Sequence, residues 1–127
     1  MGGMADELVP PELASFILSH IESIAQVEAL LLLHQTPGEN WTAERTAVRL
    51  YATELEAEAA LAHLCAEGLL ECEAGVYRIH PDADLAAMIA RLDEVYRRHL
   101  IAVTNLIHSQ PRRLRNFADA FKWRKDR

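Results

Sequence analysis

The sequence predicts a mainly α protein with one small β-hairpin. Alanine, leucine and glutamate dominate the composition and aromatic residues make up only 6% of it, a bias that favours helix over sheet. Apolar residues recur at helical spacing through most of the chain, whereas short-period alternation is confined to one stretch, residues 69–79. The length of 127 residues predicts one compact domain with helical extensions.

Four helices are predicted ahead of the hairpin, each from its start signal. A proline pair followed by an acid opens the first helix, and S-x-x-Q and T-x-x-E capping boxes open the second and the fourth. The start residues of the four helices are Pro10, Ser23, Thr42 and Thr53. The fourth helix is expected to end near Gly68, since glycine suits a C-terminal cap.

The hairpin is predicted from two short alternating segments around a turn. Residues 69–72 and 76–79 are the two strands, and Glu73-Ala74-Gly75 supplies the turn between them.

One long helix, residues 82–108, is predicted after the hairpin, because its apolar positions alternate in steps of three and four. A helix of about 25 residues is longer than one small domain needs, so the seam is expected to join two copies of the chain. The predicted seam consists of Leu85, Met88, Leu92, Val95, Tyr96, His99, Val103 and Leu106.

The order of helix, short helix, helix and hairpin resembles the winged helix-turn-helix over residues 23–80. The segment Ala60-Leu61-Ala62-His63-Leu64-Cys65-Ala66-Glu67-Gly68-Leu69-Leu70-Glu71, followed by Val76-Tyr77-Arg78-Ile79, carries this resemblance. The long helix after the wing is similar to the dimerisation helix of MarR-like and PadR-like bacterial regulators. The expected organisation is an N-terminal helix (1–22), the winged-helix module (23–80), the long dimerisation helix (81–110) and a tail (111–127).

This resemblance implies that the fourth helix is a recognition helix, a role that requires cations and base-reading side chains. Its predicted outward surface is instead acidic, and it contains no arginine, lysine, asparagine or glutamine: Glu56, Ala59, Ala60, His63 and Glu67. The candidate phosphate contacts are few: Arg45, Arg49 and Arg78. The residues of this helix therefore disfavour its docking on a specific DNA sequence.

The charge is unevenly distributed, because the net charge of −6 combines an acidic body with a basic tail. The tail's cations are Arg112, Arg113, Arg115, Lys122, Arg124 and Lys125, beside an apolar stripe of Leu114, Phe117 and Phe121. Three interpretations stay open for it: docking on the body or on a second copy, binding an acidic partner such as nucleic acid, and lying on a membrane surface.

No catalytic, metal or cofactor site is expected. The histidines lack ligand spacing, and phosphate-loop, nucleophile-elbow and HExxH motifs do not occur in the sequence. Cys65 and Cys72 are expected to be separate, buried apolar side chains. The sequence shows neither a signal peptide nor a membrane span, so a cytoplasmic protein without integral membrane association is expected.

Two functions fit these observations. The first is a non-enzymatic, dimeric winged-helix regulator that acts mainly through contacts with a protein partner in transcriptional or signalling control. The alternative is a dimeric, MarR-like or PadR-like transcriptional regulator that binds DNA. The acidic helix favours the first function, and the resemblance itself favours the second.

Overall fold

The computed structural model describes residues 8–109, and within them it contains six helices and one two-stranded sheet. In chain order the elements are α1 (Pro11–His20), α2 (Ile24–His34), α3 (Ala43–Leu50), α4 (Glu54–Ala66), β1 (Leu70–Glu73), β2 (Val76–Ile79), α5 (Ala83–Arg98) and α6 (Leu100–Ser109). The predicted basic tail lies outside the described residues.

The predicted helix caps are present. Ser23 Oγ accepts a hydrogen bond from the Gln26 backbone N–H at 3.2 Å, and Thr42 Oγ1 accepts one from the Arg45 N–H at 3.1 Å. Such bonds satisfy backbone donors that the first turn of a helix leaves without partners. The helix starts predicted from the sequence are confirmed.

The core is centred on α2, which is buried along nearly its whole length. Val27, Leu30 and Leu33 are fully buried there, and α3, α4, β2 and α5 all contact this helix. A helix surrounded by other elements must be apolar on most of its faces. The broadly apolar sequence of α2 meets this requirement.

The wing is an antiparallel hairpin in which Leu70 pairs with Ile79 and Glu73 with Val76. Ala74 and Gly75, between the strands, both have positive φ, 54° and 79°, as a tight hairpin turn requires. Trp41 extends the sheet by one bridge, since its backbone N–H donates to the Tyr77 carbonyl at 2.8 Å and its carbonyl accepts from the Tyr77 N–H at 2.7 Å.

The predicted long helix is divided in two, which corrects the expectation of one continuous helix over 82–108. α5 ends at Arg98, His99 leaves the helical conformation with φ −132° and ψ 53°, and α6 begins at Leu100. The break turns Ala102, Val103 and Ile107 into the core of the same chain. Packing within the chain therefore determines the direction of α6.

The side chains of the predicted dimer seam also pack into the core of their own chain. Leu92 and Val103 are fully buried. The other apolar seam positions are half-buried against the same core: Leu85, Met88, Val95, Tyr96 and Leu106. The exposed large apolar side chains of α6 are Leu100 and Ile101, 48% and 70% exposed.

The two cysteines are joined, which corrects the expectation of separate buried thiols. A disulfide connects Cys65, near the end of α4, to Cys72 in β1, and their Cα atoms are 6.3 Å apart. Cys65 is half-buried and Cys72 is exposed. The turn at Gly68 folds β1 back beside α4, so that the two side chains meet.

Within residues 8–109 no single helix is long and apolar enough to cross a membrane. α1 and α2 are long and apolar enough only when they are taken together, and the chain bends by 108° between them.

Candidate nucleic-acid interface

The turn between α3 and α4 is tight because Tyr51 has a left-handed backbone conformation, with φ 57° and ψ 41°. The Ala52 backbone N–H donates to the Ala47 carbonyl at 3.0 Å, which closes the end of α3. The Tyr51 side chain is 97% exposed, so no packing contact offsets the cost of this conformation for a residue with a Cβ.

The inner face of α4 seats the helix on the core. Ala57, Ala60, Leu61 and Leu64 are buried, and the helix contacts both α2 and α3. Ala60 was expected on the outward surface, and its burial corrects that expectation. Ala60 is buried whereas Cys65, which the sequence placed in the core, is only half-buried, so α4 is rotated about its axis relative to the predicted orientation.

The rotation also removes two further residues from the predicted surface. His63 Nε2 donates to the His20 carbonyl at 2.7 Å, and Glu67 Oε1 accepts from His20 Nδ1 at the same distance. Both side chains are only partly exposed. His63 and Glu67 therefore face the end of α1, and we correct their assignment to the outward surface.

The surface that α4 does present is uncharged along its centre. Leu55, Ala59, Ala62 and Ala66 are all exposed, and their spacing of four, three and four residues places them in one line along the helix. We name these four residues the outer row. Leu55 is its largest member and is 76% exposed. Of the five residues predicted on the outward surface of this helix, Ala59 is the one that belongs to the outer row.

The acids predicted at the start of α4 are exposed beside the outer row. Glu56 completes the capping box, since its Oε1 accepts from the Thr53 backbone N–H at 2.9 Å while Thr53 Oγ1 accepts from the Glu56 N–H at 3.0 Å. The hydrogen bonds from the Thr53 backbone and side chain lower the pKa of the Glu56 carboxyl. Glu54, Glu56 and Glu58 are all exposed near the row, and Glu54 and Glu58 lie outside the capping box.

The candidate phosphate contacts lie on α3, which precedes α4 in the chain, and on the wing, which follows it. Arg45 stacks on the Trp41 ring at 3.8 Å and pairs with Glu39 at 2.6 Å, and the Arg49 guanidinium lies 5.7 Å from the same ring. Arg78, on the wing, pairs with Glu71 at 3.4 Å. All three arginines are exposed. The ion pairs of Arg45 and Arg78 are therefore weak in water, and both arginines are available to exchange partners.

A cavity of about 510 Å³ lies where the wing meets the start of α5. Its lining is mixed, with His34, Arg78 and His80 beside Ile79, Pro81 and Ala86. Within the described part of the chain, no three His, Cys, Asp or Glu side chains group as metal ligands.

Together these elements define a winged helix-turn-helix protein, with α4 in the position of the recognition helix and β1–β2 as the wing. The structure is similar to that of the MarR family protein Rv2887 of Mycobacterium tuberculosis, with a TM-score of 0.54 and 18% sequence identity. The similarity covers 94% of this chain and 88% of that one. Neither a protein-family model nor a curated protein sequence matches the chain. At this identity the comparison establishes the fold.

Proposed function

We propose that this protein is a non-enzymatic transcriptional regulator that binds DNA as a homodimer. The observation that carries the proposal is the placement of α4. Its inner face is fixed on α2 and α3, and its outer row faces solvent, as a helix that enters the major groove requires. The likeness to a MarR family protein over nearly the whole of both chains supports this function.

The charges near α4 come from exposed acids on the helix itself and from arginines on the neighbouring elements. Glu54, Glu56 and Glu58 oppose the phosphates, so DNA binding requires cations from outside α4. Arg45 and Arg49 on α3 and Arg78 on the wing are the proposed phosphate ligands. The cations of the tail, outside the described residues, would add to this charge, and a dimer would present both sets twice.

The test is a salt-titrated binding assay of the full-length protein on genomic DNA fragments. Each phosphate contact steepens the dependence of log affinity on log salt by about 0.9. Arg49→Ala should therefore reduce the slope by about 1 per protomer. Arg97→Ala is the matched control, since Arg97 is an exposed arginine of α5 that pairs with Asp93 away from α4. Binding that does not change with salt would contradict the proposal.

We propose that the dimer forms through the exposed side of α6. Leu100 and Ile101 are adjacent in this helix and are 48% and 70% exposed, and neighbouring exposed apolar side chains mark interaction surfaces. Ile101→Glu should convert a dimer to a monomer in size-exclusion chromatography with light scattering. Val48→Glu is the matched control, because Val48 is also 70% exposed and lies on α3. Wild-type protein that is monomeric at micromolar concentration would contradict this assignment.

Regulation through protein contacts is the second candidate function. Val48, Tyr51 and Leu55 are large, exposed apolar side chains within eight residues of sequence, and apolar exposure of this kind marks protein-binding surfaces. The same assay separates the two functions. A protein-binding regulator retains no fragment at low salt, whereas a DNA-binding one retains fragments and releases them as salt rises.

A further inference from the structure

The outer row of α4 has an unusual chemistry for a surface that enters a DNA groove. Leu55, Ala59, Ala62 and Ala66 expose only methyl and methylene groups. They therefore have no side-chain atom that donates or accepts a hydrogen bond. Hydrogen bonding to base edges, the commonest means of reading sequence, is not available along this line.

The major groove offers one apolar group to such a surface, the C5-methyl of thymine. Alanine and other small apolar side chains contact this methyl group in protein–DNA complexes. Short side chains also let the helix backbone lie close to the floor of the groove. From Leu55 to Ala66 the row is about 16 Å long, which is enough to meet several successive base pairs.

We propose that α4 reads thymine methyl groups through Leu55, Ala59 and Ala62, and that the preferred DNA presents thymines in the groove facing this row. The inference rests on the proposed DNA-binding function and specifies its ligand. The row itself is neutral, and the exposed arginines lie on neighbouring elements, Arg49 on α3 and Arg78 on the wing. The exposed acids, Glu54 and Glu58, are acceptors suited to cytosine N4.

The experiment removes the methyl group and nothing else. Random-sequence duplexes are synthesised with thymine or with uracil, and full-length protein selects from both pools at low salt. Sequences enriched from the thymine pool are then remade with uracil and their affinities are compared. Each methyl group buried against the row contributes about fourfold in affinity, so loss of two contacts should weaken binding about 15-fold.

Two controls test the assignment to the row. In the first control, a contacted thymine is replaced by cytosine or by 5-methylcytosine, which carries the same methyl group at the same position in the groove. The 5-methylcytosine duplex should bind more tightly than the cytosine duplex. Leu55→Ala should reduce the preference for thymine over uracil. Leu8→Ala should leave the preference unchanged, because Leu8 is an exposed leucine that precedes α1.

The outcomes separate the inference from the function on which it rests. Sequence-selective binding with equal affinity for thymine and uracil duplexes would overturn methyl reading and leave DNA binding in place. Enrichment of cytosine-rich sequences insensitive to uracil would assign recognition to Glu54 and Glu58 instead. Absence of binding to either pool would overturn both proposals and favour a protein partner.

Discussion

His20 Nδ1 lies 2.7 Å from Glu67 Oε1, which joins the last residue of α1 to the C-cap of α4. The His63 side chain adds a second link of the same length to the His20 carbonyl. These two bonds connect α1 to α4 across 47 and 43 residues of sequence. The two bonds therefore hold the C-terminal end of α4 against the end of α1.

Glu67→Ala should loosen this connection. A partly buried hydrogen bond of this kind contributes roughly 1 kcal/mol to the free energy of unfolding, so urea denaturation should show a loss of that size. Hydrogen exchange should quicken in the last turn of α4. Glu22→Ala is the matched control, because its carboxylate is 55% exposed and lies 4.0 Å from His63 Nδ1. Equal losses for the two variants would show that the His20–Glu67 bond has no special role.

Tyr51→Gly should stabilise the protein. The left-handed conformation of Tyr51 costs a residue with a Cβ about 1–2 kcal/mol, whereas glycine adopts it freely. Part of this gain is offset because glycine makes the unfolded chain more flexible, by about 0.4–1 kcal/mol. The expected net increase in the free energy of unfolding is about 0.8 kcal/mol, measured by thermal and urea denaturation.

Tyr51→Ala separates conformation from side chain. It removes the aromatic ring and keeps the Cβ, so it should leave the stability unchanged, since the ring is 97% exposed. A loss of stability in both variants would show that the ring makes a contact that the fold requires.

The helix starts and the hairpin could be predicted from the sequence because their causes are local. A capping side chain bonds to a backbone group three residues away, as Thr53 and Glu56 do, and the wing follows from alternation on either side of a short turn. Such features depend on neighbours in sequence and little on the rest of the fold.

The orientation of α4 could not be predicted, because its composition leaves the buried face ambiguous. Five of its residues are alanines, and alanine fits a close helix contact as well as it fits solvent. Only the packing against α2 and α3 decides that Ala60 is buried and Ala62 exposed. The His20 contacts to His63 and Glu67 have no local signal either, since they span more than 40 residues.

The break at His99 could not be predicted from the sequence either, because packing determines it and no local signal marks it. Neither proline nor glycine lies near it, and the apolar pattern continues through the break. The helix ends there because Val103 and Ile107 pack into the core, which is a property of the assembled fold.

Glu56→Gln should make the free energy of unfolding depend less on pH in the acid range. The hydrogen bonds from Thr53 lower the pKa of the Glu56 carboxyl below its usual 4.5, so the folded state favours the ionised form. The resulting stabilisation is present above the unfolded pKa and is lost as pH falls through the folded pKa. Glutamine accepts the same cap hydrogen bond without titrating.

The measurement is the free energy of unfolding from pH 6 down to pH 3 for wild type and Glu56→Gln. The difference between them should change below about pH 4.5, in favour of the glutamine variant. Glu58→Gln is the control on the same helix, since Glu58 is exposed and lies outside the capping box. Parallel curves for all three proteins would contradict the role given to the cap.

Tyr96 should determine the response at high pH. Its hydroxyl donates to Glu28 Oε2 at 3.1 Å, which links α5 to α2. Burial, followed by the charge of Glu28 and this hydrogen bond, raises the pKa of Tyr96 to about 12. The folded state therefore favours the neutral phenol. Its contribution to stability is full below about pH 10, the unfolded pKa, and is lost as pH rises through 12.

Absorbance at the tyrosinate band follows this ionisation directly, and Tyr96→Phe should remove the transition near pH 12 from the titration of the three tyrosines. Between pH 10 and 12 the wild type should lose stability relative to Tyr96→Phe, because the phenylalanine variant has no proton to release there. Glu28→Gln should lower the Tyr96 pKa while leaving it above 10, since burial is the largest cause of the shift. A Tyr96 transition at pH 10 in the wild type would show that the phenol is solvated and that the bond to Glu28 does not hold α5 against α2.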